Sequence, residues 1–515
     1  MRMSDPRRLT PLPVYGAPDS LRVLFVTSEC TPFAMTGGLG DVSASLPIAL
    51  RRRGLAPSIV MPLYRSVPRR DLVPSGKTAS VQIGSSRVAA PLWQGALRDG
   101  VPVYFVEHDG YFDRDGLYGP NDEAYSDNLE RFSFFCRAAL EASRVLDLRP
   151  EVIHANDWPT SLLPLHARSK EFQGDFGNVA TVLTVHNIGY QGISPLDQFP
   201  RTGLGIEELH AGSMEHFGTL NLLKAGLAAS TLVTTVSPRY AREVQQGAFG
   251  CGLDGVMRSR ASDVFGILNG IDADEWNPKT DRFLAARYDE NDLSGKAHCK
   301  ADLQQAAGFE VRAEVPLLGL VTRLSWQKGM DVFAHALRGL LELDVQVVLL
   351  GKGDHGVEDF FRRVTQQRPD RFHAWIGFDH PLAHRIEAGA DFFVMPSRYE
   401  PCGLNQMYSM RYGALPIVRA SGGLDDTVDN YDETTGRGTG FKLDDLNPSS
   451  LFDVIGWAVS TWYNRPGDIK KMRARGMRKD FSWDGAADRY ETVYRTAMGR
   501  MPWSVQQERR TGTAG

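Results

Sequence analysis

Short apolar, β-branched runs recur along the 515-residue chain, each closed by a polar or glycine-rich turn and trailed by an amphipathic stretch. That rhythm belongs to parallel α/β sheets, whose strands are buried on both faces and joined by crossover helices. In the first half the runs are LRVLFVT (21–27), PSIVMP (57–62), VPVYFVEH (101–108), EVIHAND (151–157), VATVLTVHN (179–187) and STLVTTVS (230–237). The rhythm lapses between about 270 and 314, over NGIDADEWNPKTD and a polar, lysine-bearing stretch. It restarts with VPLLGLVTRL (315–324), VQVVLLG (345–351), RFHAWIG (371–377), ADFFVMPS (390–397) and ALPIVRA (414–420). The expected architecture is therefore α/β, with two Rossmann-like, doubly wound parallel-sheet domains at 21–268 and 269–480, facing across a cleft. In such sheets the carboxyl ends of the strands present the ligand-binding groups. The run 481–500 repeats apolar and aromatic residues at helical spacing and is expected to pack back on the N-terminal domain. Residues 1–20 and 501–515 read as flexible extensions.

Composition narrows the partners. Lys plus Arg number 58 against 62 Asp plus Glu, a net charge of -4, so there is no basic footprint for nucleic acid. Five cysteines (Cys30, Cys136, Cys251, Cys299, Cys402) are scattered and never in CxxC spacing, which argues against a disulfide framework and a structural zinc. A reducing cytoplasm fits. No apolar run reaches the roughly 18 residues of a membrane span, and the first 20 residues hold prolines and arginines where a signal peptide needs an apolar centre. A membrane partner is not expected.

Several strand ends carry chemistry. After the first run, TPFAMTGGLGDV places Gly37, Gly38 and Gly40 before Asp41, a sharply bent loop whose amides open a helix and can donate to an oxyanion. It lacks the Lys-Ser/Thr ending of a Walker loop. GKGDHG (351–356) matches GxGxxG, with Asp370 downstream, and keeps a nicotinamide enzyme in play as a lone, weak match. RLSWQKG puts Arg323 and Lys328 at a strand-to-helix turn, where two cations suit a diphosphate; a solvated surface pair is the plainer alternative. Glu400 sits between Tyr399 and Pro401 after a buried-type strand, presented where it can hold sugar hydroxyls, and SGGLDDTV (421–428) adds a glycine pair at another strand end. In the first half His154, Asn156 and Asp157 end one strand, and His186 with Asn187 ends the next. These read as a polar sugar pocket rather than a zinc site. Asp272 and Asp274 form a DxD to which no metal is assigned, and no metal-ligand triad is read at helical or ribbon spacing.

Together these pieces resemble the glycogen and starch synthases, over roughly residues 21–500. TGGLGDV, HANDW, TVHNIGYQG, LKAGL, TVSPRYAREV, NGIDADEWNP, RLSWQKG, PSRYEPCGL and SGGLDDTV follow in that family's order. The resemblance implies a GT-B glycosyltransferase, free of metal and cofactor and configuration-retaining. Its expected reaction adds glucose from ADP-glucose to the non-reducing end of an α-1,4-glucan such as glycogen, and a homo-oligomer is compatible with it. Residue by residue, it implies that Arg323 and Lys328 bind the donor diphosphate and Glu400 holds the glucose. Asp157 and His186 match active-site positions of the first domain. Gly38 and Asp41 match the loop approaching the nucleotide, Asn269 a donor-side asparagine, and Phe378 a ring stacking on adenine. Cys402, Gly403, Leu404, Gly422 and Gly423 match the backbone around sugar and phosphate. Four departures stand out: Met35 replaces the family's lysine before TGGL, Tyr408 occupies the second Glu of the wider EX7E pattern, Phe378 replaces a frequent tyrosine, and Asn405 stands where a small hydroxyl or apolar residue is often found. Competing expectations are a UDP-glucose-preferring synthase and a catalytically weakened glucan-binding or regulatory homologue.

Overall fold

The computed structural model describes residues 20–83, 86–120 and 123–500. The expectations for the leader up to residue 19 and for the tail 501–515 lie outside the described residues. Two compact units make up the chain: one takes the sequence to Val236, Ala241–Ile267 and the segment from Trp483, the other Ser237–Tyr240 and Leu268–Ser482.

The first unit is built on nine strands: β1 (Arg22–Val26), β2 (Ala56–Pro62), β3 (Val73–Ile83), β4 (Ser86–Ala96), β5 (Pro102–Val106), β6 (Val152–Asn156), β7 (Ala180–Val185) and, after a small sheet, β11 (Leu232–Thr235) and β12 (Val264–Gly266). The small sheet holds β8 (Ile193–Pro195), β9 (Glu215–His216) and β10 (Thr219–Asn221). The order in the large sheet is β12-β11-β7-β6-β1-β2-β5-β4-β3. All six expected runs are parallel strands. Sequence reading did not pick out the antiparallel β3–β4 hairpin, whose solvent-facing alternation lacks the continuous apolar run of a doubly covered strand.

Direction reverses between β1 and β6: from β1 the chain winds outward through β2 and β5, from β6 outward through β7, β11 and β12. The helix Trp483–Gly499 covers this sheet near β6 and β7 with buried Ala487, Tyr490, Val493 and Tyr494. Burying each large side chain contributes about 1.5–3 kcal/mol. Arg53 at the end of the helix Gly38–Arg52 fixes the register by pairing with Asp488 and Glu491 at 2.7 and 3.0 Å.

The second unit carries six parallel strands, β13 (Leu317–Leu324), β14 (Gln346–Gly353), β15 (Phe372–Ile376), β16 (Phe392–Met395), β17 (Leu415–Arg419) and β18 (Phe441–Leu443), in the order β15-β14-β13-β16-β17-β18. One face is covered by the helices Met330–Leu340 and Pro448–Asn464, through Phe333, Leu337, Leu451 and Ile455; the other by Leu303, Phe309, Leu382 and Ile386. Asp391, between the helix His380–Gly389 and β16, is buried but paired with Lys300 at 2.7 Å and Arg473 at 2.5 Å. Here the winding reverses between β13 and β16.

The glycines of GKGDHG serve this sheet. A Cβ on Gly351 would lie 2.3 Å from the Thr322 carbonyl and one on Gly353 2.4 Å from the Leu324 carbonyl, so both let β14 lie tight against β13. Close strand packing accounts for the first two glycines of the GxGxxG match, while Gly356 lies in the helix His355–Gln367.

Candidate active site

In an open α/β sheet the strands part at the reversal point, leaving a crevice outside their carboxyl ends. Both units place polar groups there.

In the second unit the reversal lies between β13 and β16. Lys328 follows β13 by four residues, Glu400 follows β16 by five, and their side chains meet, Nζ to Oε2, at 2.5 Å. Ser397 Oγ donates to the same carboxylate oxygen at 3.0 Å, and the Glu400 amide donates to Ser421 Oγ at 3.2 Å. Glu400 is 5% exposed, so its charge depends on these partners. The backbone around it needs glycine. Gly403 (φ 70°) and Gly422 (φ 45°) are left-handed, and a Cβ on Gly422 would sit 2.0 Å from the Glu400 carbonyl. A Cβ on Gly423 would lie 2.1 Å from the Cys402 carbonyl, and the Gly423 amide donates to the Glu400 carbonyl at 3.1 Å. Gly329 (φ 69°) lets the turn bearing Lys328 pass Pro396, whose carbonyl would lie 1.9 Å from an added Cβ.

The remaining expected positions of this unit surround that core. Arg323 is exposed at the end of β13 and donates to Gln327 Oε1 at 3.3 Å. Gln327 in turn donates to the Tyr399 carbonyl at 3.4 Å, linking Arg323 to the Glu400 loop. Arg398 braces the loop, binding Asp331 at 2.6 and 2.7 Å and lying over the Trp326 ring. Burial pushes the Cys402 thiol up to about 12, beside the backbone of Asn269. Asn269 is itself buried, and its Oδ1 has no partner among the described residues. Leu404 precedes the helix Asn405–Arg411, and Asn405 Nδ2 donates to the Val321 carbonyl at 2.7 Å. Phe378 follows β15 and is 83% exposed. Tyr408 stacks on Trp276 at 3.8 Å, a packing role in the position of the family's second Glu.

In the first unit the reversal lies between β1 and β6, and it gathers different chemistry. Asp157 follows β6 with φ 56° and ψ −174°, a strained backbone for a residue with a Cβ. Its Oδ1 accepts from the amides of His186 at 2.7 Å and Asn187 at 3.4 Å. Desolvation raises its carboxyl to about 7, only partly countered by those amides. His186, after β7, places Nε2 3.0 Å from Asn156 Oδ1, which makes Nε2 the protonated nitrogen; desolvation lowers it to about 3 and keeps the ring neutral. The Gly37–Gly38 turn after β1 is held by Glu29, a buried acid that sequence reading missed. Glu29 accepts from the Thr36 and Gly37 amides at 2.6 and 3.2 Å and from Tyr118 Oη at 2.7 Å. Thr31 Oγ1 donates to Asp41 Oδ1 at 3.2 Å, and Met35 at the turn is 43% exposed.

The sugar-pocket reading of His154 does not hold. His154 is fully buried, 2.7 Å from Tyr494 Oη and 2.6 Å from Thr184 Oγ1, beneath the last helix. Asn156 is likewise buried, donating to the Val26 carbonyl at 3.0 Å and so tying β6 to β1. The DxD is a turn: Asp272 Oδ1 accepts from the amides of Asp274 and Glu275 at 3.0 and 3.4 Å. No helix among the described residues is long and apolar enough to cross a membrane.

Comparison with known proteins shows the family. Residues 22–259 match the family described as starch synthase catalytic domain, and residues 305–473 match glycosyl transferases group 1. The chain is 46% identical over 504 residues to glycogen synthase 1 of Geobacter metallireducens, spanning 96% of this chain and 99% of the relative. It is 47% identical over 484 residues to glycogen synthase of an Anaeromyxobacter species, spanning 92% and 99%. Among solved structures, the catalytic domain of starch synthase IV from Arabidopsis thaliana, bound to ADP and acarbose, superposes with a TM-score of 0.87 at 33% identity. That match covers 94% of this chain and all of the plant chain.

Proposed function

The chain belongs to the glycogen and starch synthase family of GT-B glycosyltransferases, and we propose that it transfers glucose from ADP-glucose to the non-reducing end of an α-1,4-glucan with retention of configuration. The observation that carries the residue assignment is the meeting of Lys328 and Glu400 at the reversal point of the second sheet.

Breaking the anomeric bond of a sugar nucleotide develops positive charge on the ring and negative charge on the departing diphosphate. Fixed cations and a hydroxyl-binding carboxylate are what that transition state requires. In this reading Arg323 and Lys328 receive the diphosphate, and Glu400, already held by Ser397, accepts hydrogen bonds from glucose hydroxyls. The unpartnered Asn269 Oδ1 offers a further acceptor on the donor side. Phe378 gives an exposed ring for the base, and the ADP in the plant starch synthase structure supports adenine as that base.

Asp157 is poorly suited to attack the anomeric carbon. Its Oδ1 is occupied by two amides, and burial favours its protonated form near neutrality. Retention is then reached without a protein nucleophile, the leaving phosphate taking the acceptor's proton on the same face. Asp157 and neutral His186 serve as hydrogen-bonding groups for sugar hydroxyls.

The test is incorporation of labelled glucose into glycogen from ADP-glucose and from UDP-glucose, with the anomeric configuration of the new linkage read by its susceptibility to an α-specific glucosidase. ADP-glucose is expected to win by at least tenfold. Equal or better use of UDP-glucose overturns the donor assignment, and β-linked product overturns retention. A second reading, of a weakened glucan-binding homologue, rests on neutral Met35 at the glycine turn, and tight glycogen binding without incorporation from either donor supports it.

A further inference from the structure

Outside this machinery the second unit gathers three metal-ligating side chains that the proposed reaction does not use. His380 and His384 lie one turn apart on the helix His380–Gly389, with their Nε2 atoms 3.2 Å from each other. Glu275 Oε1, from the segment after the first unit, lies 3.1 Å from His380 Nε2. A tetrahedral zinc with bonds of about 2.0–2.1 Å holds neighbouring donor atoms about 3.3 Å apart. The two separations from His380 Nε2 are near that value, and the three donor atoms all lie within 4.8 Å of one another.

The surroundings fix the chemistry of these donors. His384 is buried, and its Nδ1 lies 2.7 Å from Asp281 Oδ2, which also accepts from Tyr412 Oη at 2.6 Å. Asp281 Oδ2 accepts a hydrogen bond from His384 Nδ1–H, which leaves the lone pair of His384 Nε2 on the side of His380. A carboxylate that orients a histidine in this way is the usual outer partner of a metal-bound imidazole. Trp276 stacks on the His384 ring at 3.8 Å and 8°, and Phe283 closes another side at 5.1 Å, giving the site a rigid aromatic wall. The Asp272 turn presents Glu275 from across the sequence.

We propose that Glu275, His380 and His384 bind a transition-metal dication of the zinc type, with a fourth position open to water. The alternative occupant is a proton: His380 Nε2–H shared between His384 Nε2 and Glu275 Oε1. The metal replaces that proton and ties the segment after the first unit to the helix that begins two residues beyond Phe378. Its role is to brace the second unit, so its test is independent of glucosyl transfer.

The experiment titrates the chelator-stripped full-length protein with Zn2+ and, as a spectroscopic probe, Co2+. Expected are one equivalent bound, visible ligand-field bands of a four-coordinate Co2+, and a rise in Tm with Zn2+. Glu275→Ala and His380→Ala, at part-exposed positions, should each weaken Zn2+ affinity tenfold or more and abolish the rise in Tm. Absence of stoichiometric binding, or identical titrations for wild type and both variants, overturns the proposal and leaves the proton as the occupant.

Discussion

At the reversal point of the second sheet, Lys328 and Glu400 meet as an ion pair braced by Ser397, Ser421 and tight glycine turns. At the reversal point of the first sheet, Asp157 is pushed toward its neutral form and His186 is held neutral, with the strain on the Asp157 backbone. The same topological feature thus carries two electrostatic designs. Fixed charge is what a departing diphosphate needs, because preorganised cations need no reorganisation as charge develops. Neutral donors and acceptors suit the recognition of sugar hydroxyls, which carry no charge but reject a site whose polar groups they leave unpaired.

The largest break in this contrast comes from the second unit. Lys328→Ala should lower kcat about a hundredfold or more, the scale of a lost oxyanion donor at about 3 kcal/mol. Glu400→Ala should do at least as much, since it also leaves the half-buried Lys328 without its partner. Both proteins should keep a wild-type far-UV circular dichroism spectrum. Undiminished turnover in either folded variant removes the site assignment.

The first unit should respond through pH. Burial raises Asp157 from 3.8 to about 7, so between about pH 4 and 7 the native state keeps a proton that the unfolded chain loses, and stability falls as pH rises through that window. His186 works in the opposite sense. Lowered from 6.5 to about 3, it stays neutral in the native state while the unfolded chain takes a proton, so stability falls as pH drops from about 6.5 toward 3. Asp157→Asn should remove that decline between about pH 4 and 7, a change of at most about 1.4 kcal/mol per pH unit, read by urea unfolding at pH 5, 6 and 7 with pH 8 as the plateau. The same variant should lose about tenfold in kcat/KM. An unchanged pH–stability curve means that water solvates Asp157 enough to keep it an ordinary carboxylate.

How far the sequence revealed each site follows from the same difference. The second unit's turns were legible because their signals are local: Glu400, Gly403, Gly422 and Gly423 lie within 24 residues of chain, and left-handed backbone calls for glycine. His154 misled because its partner is distant. The strand-end pattern resembles that of His186, but Tyr494 arrives 340 residues later on the last helix and turns His154 into a core residue. GKGDHG stayed a weak match in the sequence because spacing cannot show that β13 carbonyls crowd Gly351 and Gly353. Glu29 went unnoticed although an acid directly after the first strand, before a glycine turn, was a usable signal. His380 and His384 stand at i and i+4, a helical metal-ligand spacing, but Glu275 is brought to them only by the fold.

A smaller effect tests whether the second unit also reads the base. Phe378 exposes 83% of its surface after β15, and such a ring is normally buried or awaiting a partner. Stacking on a base is worth about 1–3 kcal/mol. Phe378→Ala should therefore raise KM for ADP-glucose about tenfold with little change in kcat or Tm, whereas Phe378→Tyr should be near neutral. A fall in kcat at unchanged KM would assign the ring to something other than ground-state donor binding.

The smallest effect would carry a fixed charge into the first unit. Met35 sits at the turn before Gly37, 43% exposed, with its sulfur 3.4 Å from Thr31 Oγ1. Thr31 also bonds Asp41, and Glu29 holds the Thr36 and Gly37 amides, so the loop keeps its shape without help from residue 35. A lysine there can extend without disturbing those bonds. Being part-exposed, its charge is screened, and one such contact to phosphate is worth about 1 kcal/mol. Met35→Lys should then lower KM for ADP-glucose about fivefold at low ionic strength, with the gain shrinking as salt is raised and kcat nearly constant. A gain of a hundredfold or more would show that the first unit lacks a cation essential to turnover, and fixed charge would cease to be the property of the second unit alone.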